Sequence, residues 1–335
     1  MMRISRRLVL FLWLCLFPAP GFWIGCGKGD SGDLSGVNND EIERANRLPQ
    51  DFIRLEFGQL PNNVPSVEKS ERYHPPLDKD SIELWVYRGG EYYHPTYISR
   101  RCQEFIATYY ETGEKRYLER AERYARGLLS KCLVFDGIPY ATCNFRYALH
   151  GDSALLFEAP WFSGMSQGEM LMVMVRLYEM TGNEEYLDIS HRLFRAFCRL
   201  KRFHKEWVAR IDSAGYYWIE EYPLEHIDCR TLNGFIYALY GIYDYYRVTG
   251  SPEGRMIYEM SLTTLKNYIP YFRQRGQTSL YDLGPAHPAN KAYHYLHIQM
   301  MQYLERMTGD PFFGVMADIF KLDARSAFEE DSGAP

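Results

Sequence analysis

The sequence of 335 residues is short of several things that would assign it a class at once. Its apolar run at Leu8 to Phe17 falls below the roughly 20 residues that a helical membrane span needs. Positive charge is not in excess: 38 Lys and Arg stand against 43 Asp and Glu, a formal charge of -5, which excludes the electrostatic footprint of a duplex nucleic-acid binder. Cysteine is scarce, with seven copies and no CxxC pair, so neither a zinc ribbon nor a disulfide framework is expected. Cys102, Cys132, Cys143, Cys198 and Cys229 read instead as small buried free thiols, with one or two bridges as the alternative in an exported protein. No Gly-rich phosphate loop, nucleophile elbow or zinc-binding motif occurs, and no cofactor or metal is expected. Aromatic residues are plentiful: 28 Tyr, 19 Phe and 6 Trp make 16% of the chain. Such rings line sugar clefts, and they also fill ordinary cores.

The first segment reads as an address. Arg3, Arg6 and Arg7 precede the apolar run, a secretory-signal pattern, and Trp23-Ile24-Gly25-Cys26 resembles a bacterial lipoprotein cleavage box. Residues 1–26 are therefore expected to be a leader, with Cys26 as the lipidated terminus; plain signal cleavage, an uncleaved anchor and the twin-arginine route are the alternatives. Export to a bacterial cell envelope follows, with membrane contact only through that anchor. Residues 27–46, rich in Gly, Ser and Asp, read as a flexible linker, 47–90 as a small N-terminal extension with a strand-like run at Ile82 to Tyr87, 91–324 as the main domain and 325–335 as a disordered tail.

The main domain repeats. Thr112-Gly113, Thr181-Gly182, Thr249-Gly250 and Thr308-Gly309 recur at spacings of about 60 to 70 residues, each ending one run of helical periodicity and preceding another. Gly there fits a left-handed helix C-cap. The later units are expected at Ser166–Met180 with Glu184–Arg199, Leu232–Val248 with Glu253–Ile269, and Ala292–Met307 with Pro311–Leu322. A helical pair cannot bury its apolar face alone, so four hairpins must stack, and curling them gives a mainly α fold, an α/α toroid or incomplete barrel. The joints at 132–165, 202–231 and 274–291 are long enough to carry small β-hairpins, and they would gather at one end, marking it as the site.

Within the joints, Tyr216-Tyr217-Trp218-Ile219-Glu220-Glu221-Tyr222-Pro223 sets two carboxylates among aromatic rings, where a raised pKa suits acid or base work; an exposed acidic hairpin is the competing reading. His294 and His297 share a helix face, as a metal pair or as two satisfied histidines. Ser166 with Glu169 three residues on reads as a capping box, and Met170, Met172 and Met174 as core.

Five short motifs in order resemble the catalytic domain of the D-glucuronyl C5-epimerases: Pro160-Trp161-Phe162-Ser163-Gly164-Met165-Ser166-Gln167-Gly168, Glu220-Glu221-Tyr222-Pro223, Leu232-Asn233-Gly234-Phe235 with Gly241-Ile242-Tyr243-Asp244, Tyr281-Asp282-Leu283, and Tyr293-His294-x-x-His297-Ile298. The resemblance implies an isomerase acting on glucuronate in an acidic, heparosan-like polysaccharide. It places proton transfer on Tyr293 and on Glu221 or Tyr222, with Tyr281 orienting the uronate. Trp161, Gln167 and Asn233 are expected to bind substrate. Gly284 stands where the family continues with Arg, so Arg146, Arg230, Lys291, His294 or His297 must supply the cation for the uronate carboxylate. The animal enzymes add an N-terminal β-rich domain that this chain largely lacks, which leaves a homodimer as an open partner. A uronate lyase shares the first step, abstraction of H5, and a non-catalytic glycan-binding lipoprotein would need only the aromatic cleft; these are the rival readings.

Overall fold

The four Thr-Gly pairs end four long helices in the same way. In the computed structural model, which describes residues 39–65 and 75–329, the glycines adopt φ of 69°, 66°, 65° and 70°. Each threonine hydroxyl donates to the carbonyl four residues back, at 2.8, 2.6, 2.7 and 2.7 Å. It also accepts the amide two residues ahead, at 3.2, 3.2, 3.2 and 3.1 Å. Threonine thus occupies a helix end and the start of the next turn with one side chain, while glycine takes the left-handed position without a Cβ penalty.

The helices are α1 (Asn39–Arg44), α2 (Pro95–Thr112), α3 (Lys115–Ser130), α4 (Gly164–Thr181), α5 (Glu184–Phe194), α6 (Leu232–Thr249), α7 (Pro252–Tyr268), α8 (Lys291–Thr308) and α9 (Pro311–Glu329). From α2 onward they pair as hairpins, and α2 packs on α4, α4 on α6 and α6 on α8, giving the arc of an α/α toroid. The centre of the arc is almost wholly buried, because α4 and α6 are apolar on nearly every side; Met170, Met172 and Met174 lie fully in this core. These two helices touch backbone to backbone. A Cβ on Gly168 would meet Cα of Ala238 at 2.4 Å, and one on Gly241 would meet the carbonyl oxygen of Gly168 at 2.1 Å.

The helix starts at the opposite end are joined by the long segments. The first holds β3 (Leu133–Phe135) paired with β4 (Ile138–Tyr140), β5 (Thr142–Cys143) with β8 (Trp161–Phe162), and β6 (Tyr147–Ala148) with β7 (Leu156–Phe157), all antiparallel. The second holds the hairpin of β9 (Ala209–Ile211) and β10 (Tyr217–Ile219), and the third only isolated bridges, Thr231 with Asp282 and Leu280 with Pro288. Upstream, β1 (Trp85–Tyr87) and β2 (Gly90–Tyr92) form a hairpin, so the expected strand from Ile82 begins three residues later.

Residues 53–61 cross the Thr-Gly end. The amide of Ile53 donates to the carbonyl of Met307, Arg54 to that of Arg247 and the amide of Leu55 to the Tyr243 hydroxyl. Beneath them Arg176, 1% exposed, donates to Asp244 at 2.7 Å and to the Pro61 carbonyl at 2.7 Å, while Arg247 pairs with Glu179. Two boundaries need correction. The linker expected over 27–46 gives way at residue 39 to α1, whose Ile42 is buried in the core, and α9 runs to Glu329, through the first residues of the tail expected from 325. Within the described residues no further domain separates from the arc. The five cysteines of the domain are free thiols, four of them buried. The leader and Cys26 lie outside the described residues.

Candidate functional site

A cavity of about 280 Å³ opens at the end where the long segments gather. Its lining draws on α2 (Thr96, Tyr97, Arg100), the first joint (Phe145, Tyr147, Trp161), the residues after β10 (Glu221, Tyr222), the start of α6 (Asn233, Tyr237) and the start of α8 (Tyr293). Of the residues singled out from sequence, Trp161, Glu221, Tyr222, Asn233 and Tyr293 are brought together there. Tyr281 stands directly behind, its hydroxyl 3.4 Å from that of Tyr222 and its ring edge-on to Tyr293 at 4.9 Å.

Each placement has a local cause. Trp161 is held by its indole N–H on the Phe145 carbonyl at 2.9 Å and packs among Phe145, Tyr147, Phe157 and Tyr222. Ser163, not Ser166, caps α4, accepting the Ser166 amide at 3.3 Å; Ser166 is inside the helix and shares a 2.7 Å hydrogen bond with Thr96. Glu169 makes no capping box, because its carboxylate pairs with Arg100. Glu221 lies against the first turn of α6, where a Cβ on Gly234 would stand 2.1 Å from its Oε2. The Asn-Gly pair is thereby explained: Asn233 donates to Glu221 at 3.4 Å and Gly234 leaves the carboxyl its room.

Two adjacent carboxyl groups are treated differently. Glu220 turns away from the cavity to accept from Arg210 at 2.8 Å and from the Arg230 amide at 2.8 Å. Glu221 is 3% exposed with no ion-pair partner, and burial pushes its pKa up to about 8, against a hydrogen bond from Tyr222 and the charge of Arg100. A carboxyl titrating near neutrality can both take and give a proton. Burial and the neighbouring Glu221 also raise the hydroxyls of Tyr222, Tyr281 and Tyr293, so they stand protonated at neutral pH.

The arginine that lines the cavity is Arg100, which sequence reading missed. It donates to the fully buried Glu169 at 2.9 Å, lies 4.5 Å over the Tyr237 ring and keeps 42% of its side chain exposed to the cavity. Glu169 holds its pKa above the ordinary arginine value, so its charge is permanent. The five expected cations lie elsewhere. Lys291 is not among the lining residues. Arg146 is on the surface with Glu158, and Arg230 stacks over Trp218 and Tyr268. His294 bonds to Ser279 and the Phe320 carbonyl, His297 to Ser279, and burial lowers both pKa values, that of His297 to about 3, so neither is charged at neutral pH. Position 284 cannot host an arginine in this backbone, since a Cβ there would meet the Asp228 carbonyl at 2.1 Å. Gln167 is structural as well: its amide bridges Ala141, Pro139 and Leu193. Sequence carried no clear sign of Arg100, since the neighbouring Arg101 is the more buried of the two and pairs with Glu83 and Glu104. His94, Tyr147 and Tyr237 were missed too. Burial and the Arg100 charge lower the His94 pKa to about 4, and its Nδ1 is buried with no hydrogen-bond partner.

Comparison with known proteins identifies the family and the fold. The D-glucuronyl C5-epimerase C-terminus family matches residues 139–321. An uncharacterized protein of Methanocaldococcus jannaschii is 31% identical over 172 residues, 51% of this chain and 53% of its own length. The D-glucuronyl C5-epimerase of Caenorhabditis elegans is 26% identical over 182 residues, 49% of this chain and 29% of its own. The matched region thus spans about half of one relative and under a third of the other. Among solved structures, cellobiose 2-epimerase from Bacillus thermoamylovorans superposes with a TM-score of 0.53 at 14% identity, covering 73% of this chain and 64% of that one. An α-1,6-mannanase of glycoside hydrolase family 76 from Salegentibacter reaches 0.50 at 12% identity, covering 74% and 65%. At those identities the likeness is one of fold, the α/α toroid. With a family match across more than half its length, the chain belongs to the D-glucuronyl C5-epimerase C-terminus family.

Proposed function

We propose that this chain is a carbohydrate epimerase that inverts C5 of glucuronate residues in an acidic, heparosan-like polysaccharide. The observation that carries the reading is a buried, unpaired carboxyl with a pKa of about 8 sharing one cavity with a permanent cation and a tyrosine hydroxyl. H5 of a uronate is α to a carboxylate, and its loss places charge on that carboxylate; Arg100 is the group that would hold it. Glu221 in its ionised form takes H5, and the Tyr293 hydroxyl delivers a proton to C5 from the other face. Glu221 is then protonated and Tyr293 ionised. The line of hydroxyls that links Glu221 through Tyr222 and Tyr281 to Tyr293 offers a path along which each O–H can turn over, passing a proton from Glu221 back to Tyr293 and resetting both. The aromatic wall of Trp161, Phe145 and Tyr147 would stack on sugar faces. Because the base must be ionised, turnover should rise with pH up to about 8.

The test is incubation of the chain with heparosan in D₂O. Deuterium at C5 with iduronate signals supports the reading, and an unsaturated product absorbing in the ultraviolet would replace it with a lyase. Binding without exchange in wild-type protein would leave a glycan-binding module. The leader motif supports a further part of the proposal, export and lipid attachment at Cys26, which metabolic labelling with a fatty acid and loss of label in Cys26→Ala would check.

A further inference from the structure

Behind Tyr281, outside the cavity lining, His150, Asp282 and His287 converge. His150 comes from the first joint and the other two from the third, and one donor atom from each falls within 4.8 Å of the others. His150 Nε2 is 2.5 Å from Asp282 Oδ2, and the two imidazole rings stack at 3.8 Å, 10° from parallel. Asp282 is fully buried, and its second oxygen accepts the His287 amide at 3.1 Å. Nδ1 of His287 is buried with no hydrogen-bond partner. A buried ring nitrogen without a partner, beside a buried carboxylate and a second imidazole, is a group that a bound ion would satisfy. The backbone is bent to make the group: His150 at φ 56° and Ala286, next to His287, at φ 57° both occupy the left-handed region that favours glycine.

We propose that His150, Asp282 and His287 form a site for a divalent transition metal, Zn²⁺ being the best chemical match. Two imidazoles and one carboxylate are a ligand set zinc accepts, with the fourth position left to water. Ligation at about 2.0–2.1 Å draws the three donors together and turns one imidazole out of the present stack, because each ring nitrogen binds in its own ring plane. The ion would tie the first and third joints together directly behind Tyr281, whose ring lies edge-on to His150 at 5.5 Å. It is a positioning site, standing independently of the uronate reading. Sequence reading expected no metal because residues 150, 282 and 287 lie far apart along the chain and carry no ligand spacing.

The test is calorimetric titration of EDTA-treated full-length chain with ZnCl₂, alongside His287→Ala, His287→Gln and His150→Ala. One zinc per chain is expected, with affinity weakened about tenfold or more in each variant while circular dichroism in EDTA stays unchanged. Zinc should raise the melting temperature of the wild type and leave that of a double histidine variant in place. Cobalt(II) in the site should show no thiolate charge-transfer band. Absence of saturable uptake by the wild type, equal affinity in the variants, or a thiolate band pointing to the cysteines would overturn the proposal.

Discussion

The two ends of the toroid are built on opposite rules. At the Thr-Gly end the same pair of residues closes four helices with the same hydrogen bonds, and residues 53–61 cover what is left. At the other end three joints of different length and content meet, and groups there are left wanting. Glu221 has no counter-ion, and His94 Nδ1 and Asn233 Oδ1 are buried without partners. Repetition satisfies backbone groups cheaply because one solution serves every unit. A cavity for a ligand needs polar groups aimed into it, and the non-repeating end supplies them from several segments at once.

Substitutions should separate the two ends by what they change. The largest effect is expected from Glu221→Gln, with turnover on heparosan falling about 10²–10⁴-fold. The same change should stabilise the fold at alkaline pH. The wild-type carboxyl titrates at about 8 when folded against an ordinary 4.5, so the stability it contributes is whole below about 4.5 and is lost as pH climbs towards 8. Glutamine loses nothing over that range, and the melting-temperature gap between variant and wild type should widen from pH 5 to pH 8. A gap that stays flat would mean that Glu221 is not held protonated. Next comes Arg100→Lys, which keeps a charge for the buried Glu169 but loses the planar fork; kcat/KM should drop about 10²-fold with melting nearly unchanged. Equal kcat/KM would remove Arg100 from carboxylate binding. The smallest effect belongs to the other end. Gly250→Ala has open space for its methyl group, so only the left-handed backbone resists, at a cost of about 1 kcal/mol in denaturant unfolding with turnover unchanged. Loss of activity in that variant would break the division between the ends.

What could be read from sequence follows the same division. The starts of α5, α6 and α9, expected at Glu184, Leu232 and Pro311, are where the structure begins them, and the other starts fall within a few residues. Period and capping chemistry are local, and local rules carry over. The site was legible where residues near in sequence meet, as with Glu221 beside Tyr222 and Asn233 beside Gly234. It was not legible where distant segments meet. Periodicity says that one face of α2 is buried; it does not say that Arg100 on it reaches Glu169 and a cavity formed 120 residues later. Histidines 294 and 297, read as a metal pair, as two satisfied histidines or as candidate cations, prove to be packed core residues, with both rings directed against Ser279 and α9.

The contact of Gly168 with Gly241 works as a gauge. Neither residue lines the cavity, yet Gly168 lies two residues past the lining Ser166 on α4, and Gly241 lies about one turn past the lining Tyr237 on α6. With backbones already touching, the helices can come no closer, and any side chain at either position would wedge them apart. The bore of the site is therefore calibrated at a crossing inside the core, and a change in the width of accepted sugar chains would have to come from the joints at the rim.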